Sequence, residues 1–374
     1  MKPRIYIYSI FPWKSSLLHR EHMLAKAFDR LGYKVCFVER SYKKIFQEKK
    51  RMVGNIEIIT IFGLPYLRGI FSGLFKLNDW IISKQLTKII ATKGLCWHIL
   101  SSPLWAKSIS KIAKKDQKII YDVSDNHLDY TTNNIWRKNL KNYEDFAIEK
   151  ANLITLTSEK LLNKLPKQAA YAILENGVDL ESSLTANPIL RELYKGKIVG
   201  FIGGVYQRVD LELVERCAKS YPSADFFVIG PTDQNEKLRE MKQFNNFHYL
   251  GPISWEKIQD YFASLDVGII PFVSEKKYPW LKTVDSVKVY QYAYFGYPII
   301  TTQFGNVKSL RPMVTVAKTN SEFVKCLGAA LSGNEPAEIF NKRVALAKSH
   351  DWINIAEKMV REISSAQNHH IVVE

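Results

Sequence analysis

From its first residues almost to its last, the chain alternates short β-branched and aromatic runs with stretches that carry apolar residues at helical spacing. That alternation dictates parallel sheets covered by helices. In the first half, residues 4–10, 34–39, 56–61, 97–100, 118–123 and 153–157 read as strands. Between them, residues 21–31 set Leu24, Ala27, Phe28 and Leu31 on one helical face, and 135–150 read as a second, more polar helix. The rhythm breaks at Asn176-Gly177, a turn signal, and the polar stretch 181–197 reads as a linker. A second series then begins, with strands at 198–202, 224–229, 247–250, 267–271 and 298–302 and helices at 211–220, 255–264 and 286–295. Residues 351–363 form a last amphipathic helix. The expectation is an N-terminal domain over residues 1–180, a second over 181–350, and a terminal helix and tail over 351–374. Two α/β halves in tandem place a cleft between them, with ligands at the carboxyl ends of the strands.

A length of 374 residues suits two such domains better than one core. The net charge of +16 divides unequally. Residues 1–174 hold 30 Lys and Arg against 14 Asp and Glu, whereas residues 175–374 hold 23 of each. Cys36, Cys96, Cys217 and Cys326 are far apart and read as reduced thiols of a cytosolic protein. Neither they nor the eight histidines, His369-His370 included, have the spacing of a metal site, so no metal and no cofactor is expected. The first ten residues lack the apolar core of a signal peptide. Arg68, Lys76, Asp79 and Lys84 interrupt the most apolar region, 56–90, well short of a spanning helix.

The basic half has a pattern of its own. Lys43, Lys44, Lys49, Lys50 and Arg51 cluster after the second strand, and Lys107, Lys111, Lys114, Lys115 and Lys118 follow further on. Residues 66–90 interleave Phe71, Leu74, Phe75, Leu77 and Trp80 with Arg68, Lys76 and Lys84. A lysine run alone is usually a solvated face. Aromatics among basic residues without acidic counterweight point instead to an anionic membrane surface. Nucleic acid is the competing partner of a basic domain, but no helix-turn-helix, RRM-like or zinc-finger signature is present, and none is expected to bind. The expected location is cytoplasmic, peripheral on the inner face of the cell membrane.

The neutral half carries the ligand-binding signals. Phe201-Ile202-Gly203-Gly204, Ile229-Gly230-Pro231 and Leu250-Gly251-Pro252 each end a strand in glycine, and glycine lets a backbone approach a ligand closely. One such turn is unremarkable; three along one sheet edge favour a ligand site. In the stretch from Thr283 to Gln291, Asp285 or Ser286 can cap a helix that continues through Val287 and Lys288 to Phe295, with Gly296 as its stop. A helix N-terminus with a lysine in its first turn suits a diphosphate. Lys288 and Gln291 share a face, so lysine can meet phosphate while glutamine meets a ribose hydroxyl. The competing reading is a capped amphipathic helix with a solvated lysine.

These residues carry a resemblance. A linker beginning Glu175-Asn176-Gly177-Val178-Asp179, the Gly-Gly turn, Ile229-Gly230-Pro231, Leu250-Gly251, the lysine-bearing helix start and Phe295-Gly296-Tyr297-Pro298 follow one another as in the GT-B glycosyltransferases. The resemblance covers nearly the whole chain. It implies two Rossmann-like domains facing each other across a cleft, a nucleotide sugar held mainly by the second, and a C-terminal helix around Trp352 that crosses back to the first. Many retaining members carry two glutamates eight positions apart, where this chain has Thr283 and Gln291. Their basic pair after the first donor-domain strand is reduced to Arg208, with Gly204 in the other place. Both departures point away from retention.

A narrower similarity is to the inverting glucuronosyltransferase of xanthan-type polysaccharide assembly. Phe272-Val273-Ser274-Glu275, Asp285-Ser286-Val287-Lys288 and Gln291-Tyr292 are similar to its donor site, and Tyr121-Asp122-Val123-Ser124-Asp125 resembles the strand end that carries its catalytic base. The resemblance implies that Lys288 holds diphosphate, Gln291 and Phe272 face the nucleotide sugar, Ile253 meets the base, and Val205 lines the site with Gly203, Gly204 and Arg208.

Inverting sugar transfer needs a carboxylate to take the acceptor's proton and positive groups to hold the leaving diphosphate. Asp125 is the expected base. Asp122 is its rival, on the opposite face if the strand runs extended to residue 125. His127 could orient the acceptor but reads rather as a surface histidine, and His22 could line the acceptor side but reads rather as a partly buried structural one. The expected activity moves a sugar, glucuronate in the narrower reading, from a UDP-sugar to a lipid-linked or polysaccharide acceptor. The alternatives are a retaining hexosyltransferase of capsule or teichuronic-acid type, in broad pattern around Arg208-Val209-Asp210, and a non-catalytic nucleotide-sugar- or nucleic-acid-binding protein.

Overall fold

The structure, a computed structural model, describes residues 2–15, 17–42, 49–65, 72–90 and 94–366. Of the residues singled out above, Lys43, Lys44, the side chain of Lys49, Tyr66, Arg68, Phe71, His369 and His370 lie outside the described set. The chain divides into two compact units. The first comprises residues up to Glu175, except 16–18, together with the segment from Ile353 onward; the second comprises 16–18 and Asn176–Trp352.

The first unit runs β1 (Arg4–Tyr8), α1 (Arg20–Arg30), β2 (Val35–Ser41), β3 (Lys49–Val53), β4 (Ile56–Phe62), α2 (Ser72–Ile89), β5 (Cys96–Leu100), α3 (Ala106–Ser110), β6 (Lys118–Val123), α4 (Asn134–Lys150), β7 (Leu153–Leu156) and β8 (Tyr171–Ile173). The strands form one sheet in the order β3-β4-β2-β1-β5-β6-β7-β8. All neighbours are parallel except β3 and β4, which form a hairpin around Gly54-Asn55 with Gly54 at φ +58°. The central strands are buried along their length, as helices on both faces require. Strand β3 was not expected, because Lys49-Lys50-Arg51 reads as a charge cluster. At a sheet edge such charges discourage pairing with another chain.

The second unit runs α5 (Leu180–Ser183), β9 (Lys197–Ile202), α6 (Leu211–Ser220), β10 (Ala224–Ile229), α7 (Asn235–Met241), β11 (Phe247–Gly251), α8 (Trp255–Ala263), β12 (Val267–Ile270), α9 (Val287–Phe295), β13 (Ile299–Thr302), β14 (Thr315–Ala317), α10 (Asn320–Leu331) and α11 (Ala337–Ser349). Its sheet, β11-β10-β9-β12-β13-β14, is parallel throughout. Helix α9 lies close over this sheet because Gly268 of β12 has no side chain; a Cβ there would stand 2.6 Å from the Tyr292 ring. The Tyr292 hydroxyl accepts from Ile202 N–H at 3.1 Å and lies 3.3 Å from the Gly200 carbonyl, tying α9 to β9.

Residues 181–197, which read as a linker, instead pack on the second unit. Leu190 is buried, Ser183 Oγ donates to Gln259 at 3.0 Å, Asn187 N–H donates to Asp260 at 2.8 Å, and Arg191 pairs with Asp266. The stretch is polar because its partners on and after α8 are polar. The places where the chain enters and leaves this unit are joined: Val178 N–H donates to His350 O at 2.9 Å and Trp352 N–H to Val178 O at 3.1 Å. Helix α12 (Trp352–Ser365) begins there and groups from Ile353 with the first unit, where Lys358 donates to the Ile173 carbonyl at 3.0 Å. Among the described residues no helix is long and apolar enough to cross a membrane, and no group of three or more His, Cys, Asp or Glu could hold a metal ion. The four cysteines are unpaired.

Candidate functional site

Strand order in the second sheet reverses between β9 and β12, and an open parallel sheet binds its ligand outside the carboxyl ends of the strands at such a switch. The loops leaving these strands are tied together. Asp210 N–H donates to Pro271 O at 2.7 Å and Val273 N–H to Arg208 O at 2.8 Å. Beside them the glycine turns stack, with Gly203 N–H on Ile229 O and Gly230 N–H on Gly251 O, both at 2.8 Å. Gly203 and Gly230 take φ values of +141° and +142°, which favour glycine, and a Cβ on Gly230 would collide with the Gly203 carbonyl. The sheet edge thus presents closely nested backbone.

Lys288 in the first turn of α9 reaches this edge. Its Nζ would lie 2.6 Å from a Cβ on Gly203, so glycine is required there for the lysine to occupy its place. The ammonium lies 5.3 Å from the centre of the Phe201 ring and 5.8 Å from that of Phe272. The Arg208 guanidinium stands over the same Phe272 ring at 5.7 Å and over Trp280 at 6.0 Å. Among the described residues neither cation has a carboxylate within ion-pair distance. Burial, and then the charge of Arg208, lower the pKa of Lys288 to about 7. Two cations sharing one aromatic ring without a counter-charge form a site for an anion. One turn further along α9, Gln291 is buried and its amide has no hydrogen-bond partner among the described residues.

The start of α9 differs from expectation. Ser286 occupies the N-cap position, but its side chain makes no capping bond. Asp285 does not cap either; its carboxylate accepts from Asn176 N–H and from the Tyr290 hydroxyl. The acid that would have covered the helix end fastens the first residue of the unit. The N–H groups of Val287 and Lys288 are therefore left uncapped by side chains, the arrangement that attracts anions.

The other expected residues surround this edge. Gly204 has no room for a Cβ against the Tyr206 ring. Val205 is fully buried, with its N–H on Pro231 O at 2.8 Å, so its side chain packs the core beneath the loop. Ile253, in the loop after β11, is half-buried against that core. Sequence reasoning assigned no role to Glu275, one of whose carboxylate oxygens is buried without a hydrogen-bond partner. The tether made by Tyr292 was also missed; a glycine within the apolar run of β12 was its signal.

In the first unit, β6 ends at Val123, so Asp122 lies in the strand and Asp125 in the loop beyond it. The alternation of an extended strand therefore does not relate the two. Asp122 is buried and committed: Arg20 Nε donates to it at 2.9 Å and Thr155 Oγ1 at 2.6 Å. Asp125 is half-buried at the carboxyl end of the sheet. His127, expected at the surface, is half-buried in a 3₁₀ turn at His127–Tyr130, and its Nε2 is covered without a hydrogen-bond partner among the described residues. Burial and the Lys164 charge lower its pKa to about 4. His22 is structural: its Nε2 lies 3.0 Å from Pro12 O and burial lowers its pKa to about 4.

Comparison with known proteins agrees with this architecture. Residues 196–332 match the family described as Glycosyl transferases group 1. The chain is 23% identical to TuaH of Bacillus subtilis (strain 168), a glycosyltransferase assigned to teichuronic acid biosynthesis, over 95% of each chain. Among solved structures, sucrose-phosphate synthase from Thermosynechococcus elongatus is similar with a TM-score of 0.74 at 12% identity, covering 98% of this chain and 100% of that one. A UDP-forming α,α-trehalose-phosphate synthase from Burkholderia vietnamiensis follows at 0.72 and 12%, with coverage of 98% and 100%. The chain is a glycosyltransferase of two parallel-sheet α/β units with the GT-B fold, and its second unit carries a glycosyl transferases group 1 domain.

Proposed function

We propose that the enzyme transfers glucuronate from UDP-glucuronate, with inversion, to a lipid-linked or polysaccharide acceptor in surface-polysaccharide synthesis. The observation that carries the donor reading is the Lys288 and Arg208 pair, two cations over one Phe272 ring without a carboxylate partner among the described residues. Lys288 and the uncapped start of α9 take the diphosphate, and their positive charge stabilises the leaving UDP. Gln291 meets the ribose. Gly203 and Gly204 give the phosphates access to backbone, while Val205 and Ile253 support the base-binding side. Arg208, a cation beyond the lysine, suits an acidic sugar. No bound metal or cofactor is invoked, since lysine, arginine and helix N–H groups supply the positive charge.

Asp125 is the base that removes the acceptor hydroxyl's proton. The committed bonds of Asp122 leave Asp125 the better candidate. Replacing it, Asp125→Asn, is expected to reduce transfer by roughly 100-fold or more while UDP binding, read by thermal shift, is unchanged. Near-normal turnover in that variant would overturn the assignment. The relative assigned to teichuronic acid biosynthesis favours a second reading, a retaining hexosyltransferase of capsule or teichuronic-acid type. A UDP-sugar panel by thermal shift and the anomeric configuration of the product by NMR separate the two. The acceptor side is proposed to work at an anionic membrane surface from the cytoplasm, on the charge excess of the first half.

A further inference from the structure

Helix α2 has one face for the protein and another that no described element covers. Phe75, Asn78, Asp79, Ile82, Ser83, Gln85 and Leu86 are buried. Gln85 bonds both the N–H and the carbonyl of Phe62, each at 2.9 Å, and Asn78 accepts from Leu64 N–H at 2.9 Å, so the helix is sewn to the end of β4. On the other side Lys76, Leu77, Trp80, Lys84 and Lys88 are exposed, at spacings that place them along one stripe. Leu77 is 46% and Trp80 56% exposed, large values for such side chains. The helix's only acid, Asp79, is turned inward and accepts the Tyr143 hydroxyl, so the outer stripe is purely cationic.

Strand β3 lies beside β4, at the same edge of the sheet. It exposes Met52 at 61% and Val53 at 39%, and Lys50 is half-exposed. The acids nearby are occupied: Glu57 pairs with Arg4 and Lys50, and Glu39 with Arg51. The edge therefore adds isolated large apolar side chains, while the lysines without an acidic partner among the described residues are Lys76, Lys84 and Lys88 of α2.

We propose that the outer face of α2 rests on an anionic lipid bilayer. Trp80 and Leu77 enter the boundary between headgroups and acyl chains, and Lys76, Lys84 and Lys88 lie along the lipid phosphates with their stems against the apolar layer. The composition favours lipid over other occupants. A protein partner would bury a larger apolar centre with fewer lysines. A nucleic acid would stack on Trp80 but has no use for Leu77. This assignment rests on the membrane reading of the acceptor side and gives it a location.

The test is co-sedimentation of the full chain with phosphatidylcholine vesicles and with vesicles containing about one-third phosphatidylglycerol, at moderate salt. The wild-type protein is expected on the anionic vesicles only. Each lysine near such a surface adds roughly fivefold to the partition coefficient, so K76Q/K84Q/K88Q is expected to weaken binding on the order of 100-fold. Trp80→Gln should weaken it further in high salt, where charge is screened. The equally charged control K242Q/K318Q/K325Q, exposed on the second unit, should remain near wild type. Equal losses in both triple variants, or none in the α2 variants, would overturn the assignment of this face while leaving the membrane reading intact. Loss of self-association in the α2 variants by light scattering, without loss of vesicle binding, would assign the face to a second copy and also overturn it. A wild-type protein that ignores anionic vesicles would end the membrane reading itself; UDP binding would be unaffected.

Discussion

Lys288 is held where its charge is discouraged, and that makes its proton a reporter of the ligand. With its pKa lowered to about 7 by burial and by Arg208, the side chain is largely neutral at pH 8 in the free protein. A bound diphosphate restores the ordinary preference for the ammonium. UDP binding at pH 8 should therefore take up about one proton, and close to none at pH 6. Calorimetry in two buffers of different ionisation enthalpy measures this, and Lys288→Ala should abolish both the uptake and most of the affinity. In the free protein the sign for stability follows from the same shift. The unfolded chain keeps this proton up to about pH 10.5, so the group's contribution to stability rises between pH 7 and 10.5. Lys288 and Gln291 were legible in the sequence because their relation is local, three residues on one helix. Asp285 was not, since its partner Asn176 is 109 residues away. His127 was legible only in part: a polar residue after a strand reads as surface, and the turn that leaves it half-buried with Nε2 covered does not show in the sequence.

Helix α9 presents Lys288 and Gln291 from its first two turns and is seated through Tyr292. Gly268 lets the Tyr292 ring settle on β12, and the hydroxyl reaches β9, so the helix rests on the two strands that flank the switch. Gly268→Ala is expected to lift the helix, cost about 1–3 kcal/mol in urea unfolding and weaken UDP binding through Lys288 and Gln291. Tyr292→Phe keeps the ring and removes only the hydroxyl, so it should cost about 1 kcal/mol and leave affinity nearly unchanged. An unchanged affinity in Gly268→Ala would show that Lys288 does not depend on this seat. At this scale the long central strands were readable from their apolar runs. The three-residue strands β8 and β14 are too short to show a period, β3 was hidden by its charge, and α2 by apolar and basic residues that look irregular until wrapped on a helix.

For the whole molecule the charge map follows the division into two units. The excess of cations falls in residues 1–174, nearly coincident with the first unit, and the balanced remainder holds the Lys288 and Arg208 pair proposed to take a diphosphate. The sequence could show this division because it is a matter of composition, while the return of α12 to the first unit depends on tertiary packing. The hydrogen bonds joining Val178 to His350 and Trp352 have a further consequence. They bring the beginning and end of the second unit side by side, so topologically it is a cassette inserted into one loop of the other unit. A cassette of that kind can be excised without opening its sheet. Residues 176–352 expressed alone should unfold cooperatively and bind UDP within about tenfold of the full chain. They should equally tolerate a new linker across the old ends, with termini opened elsewhere, and evolution could exchange donor specificity by replacing the cassette whole.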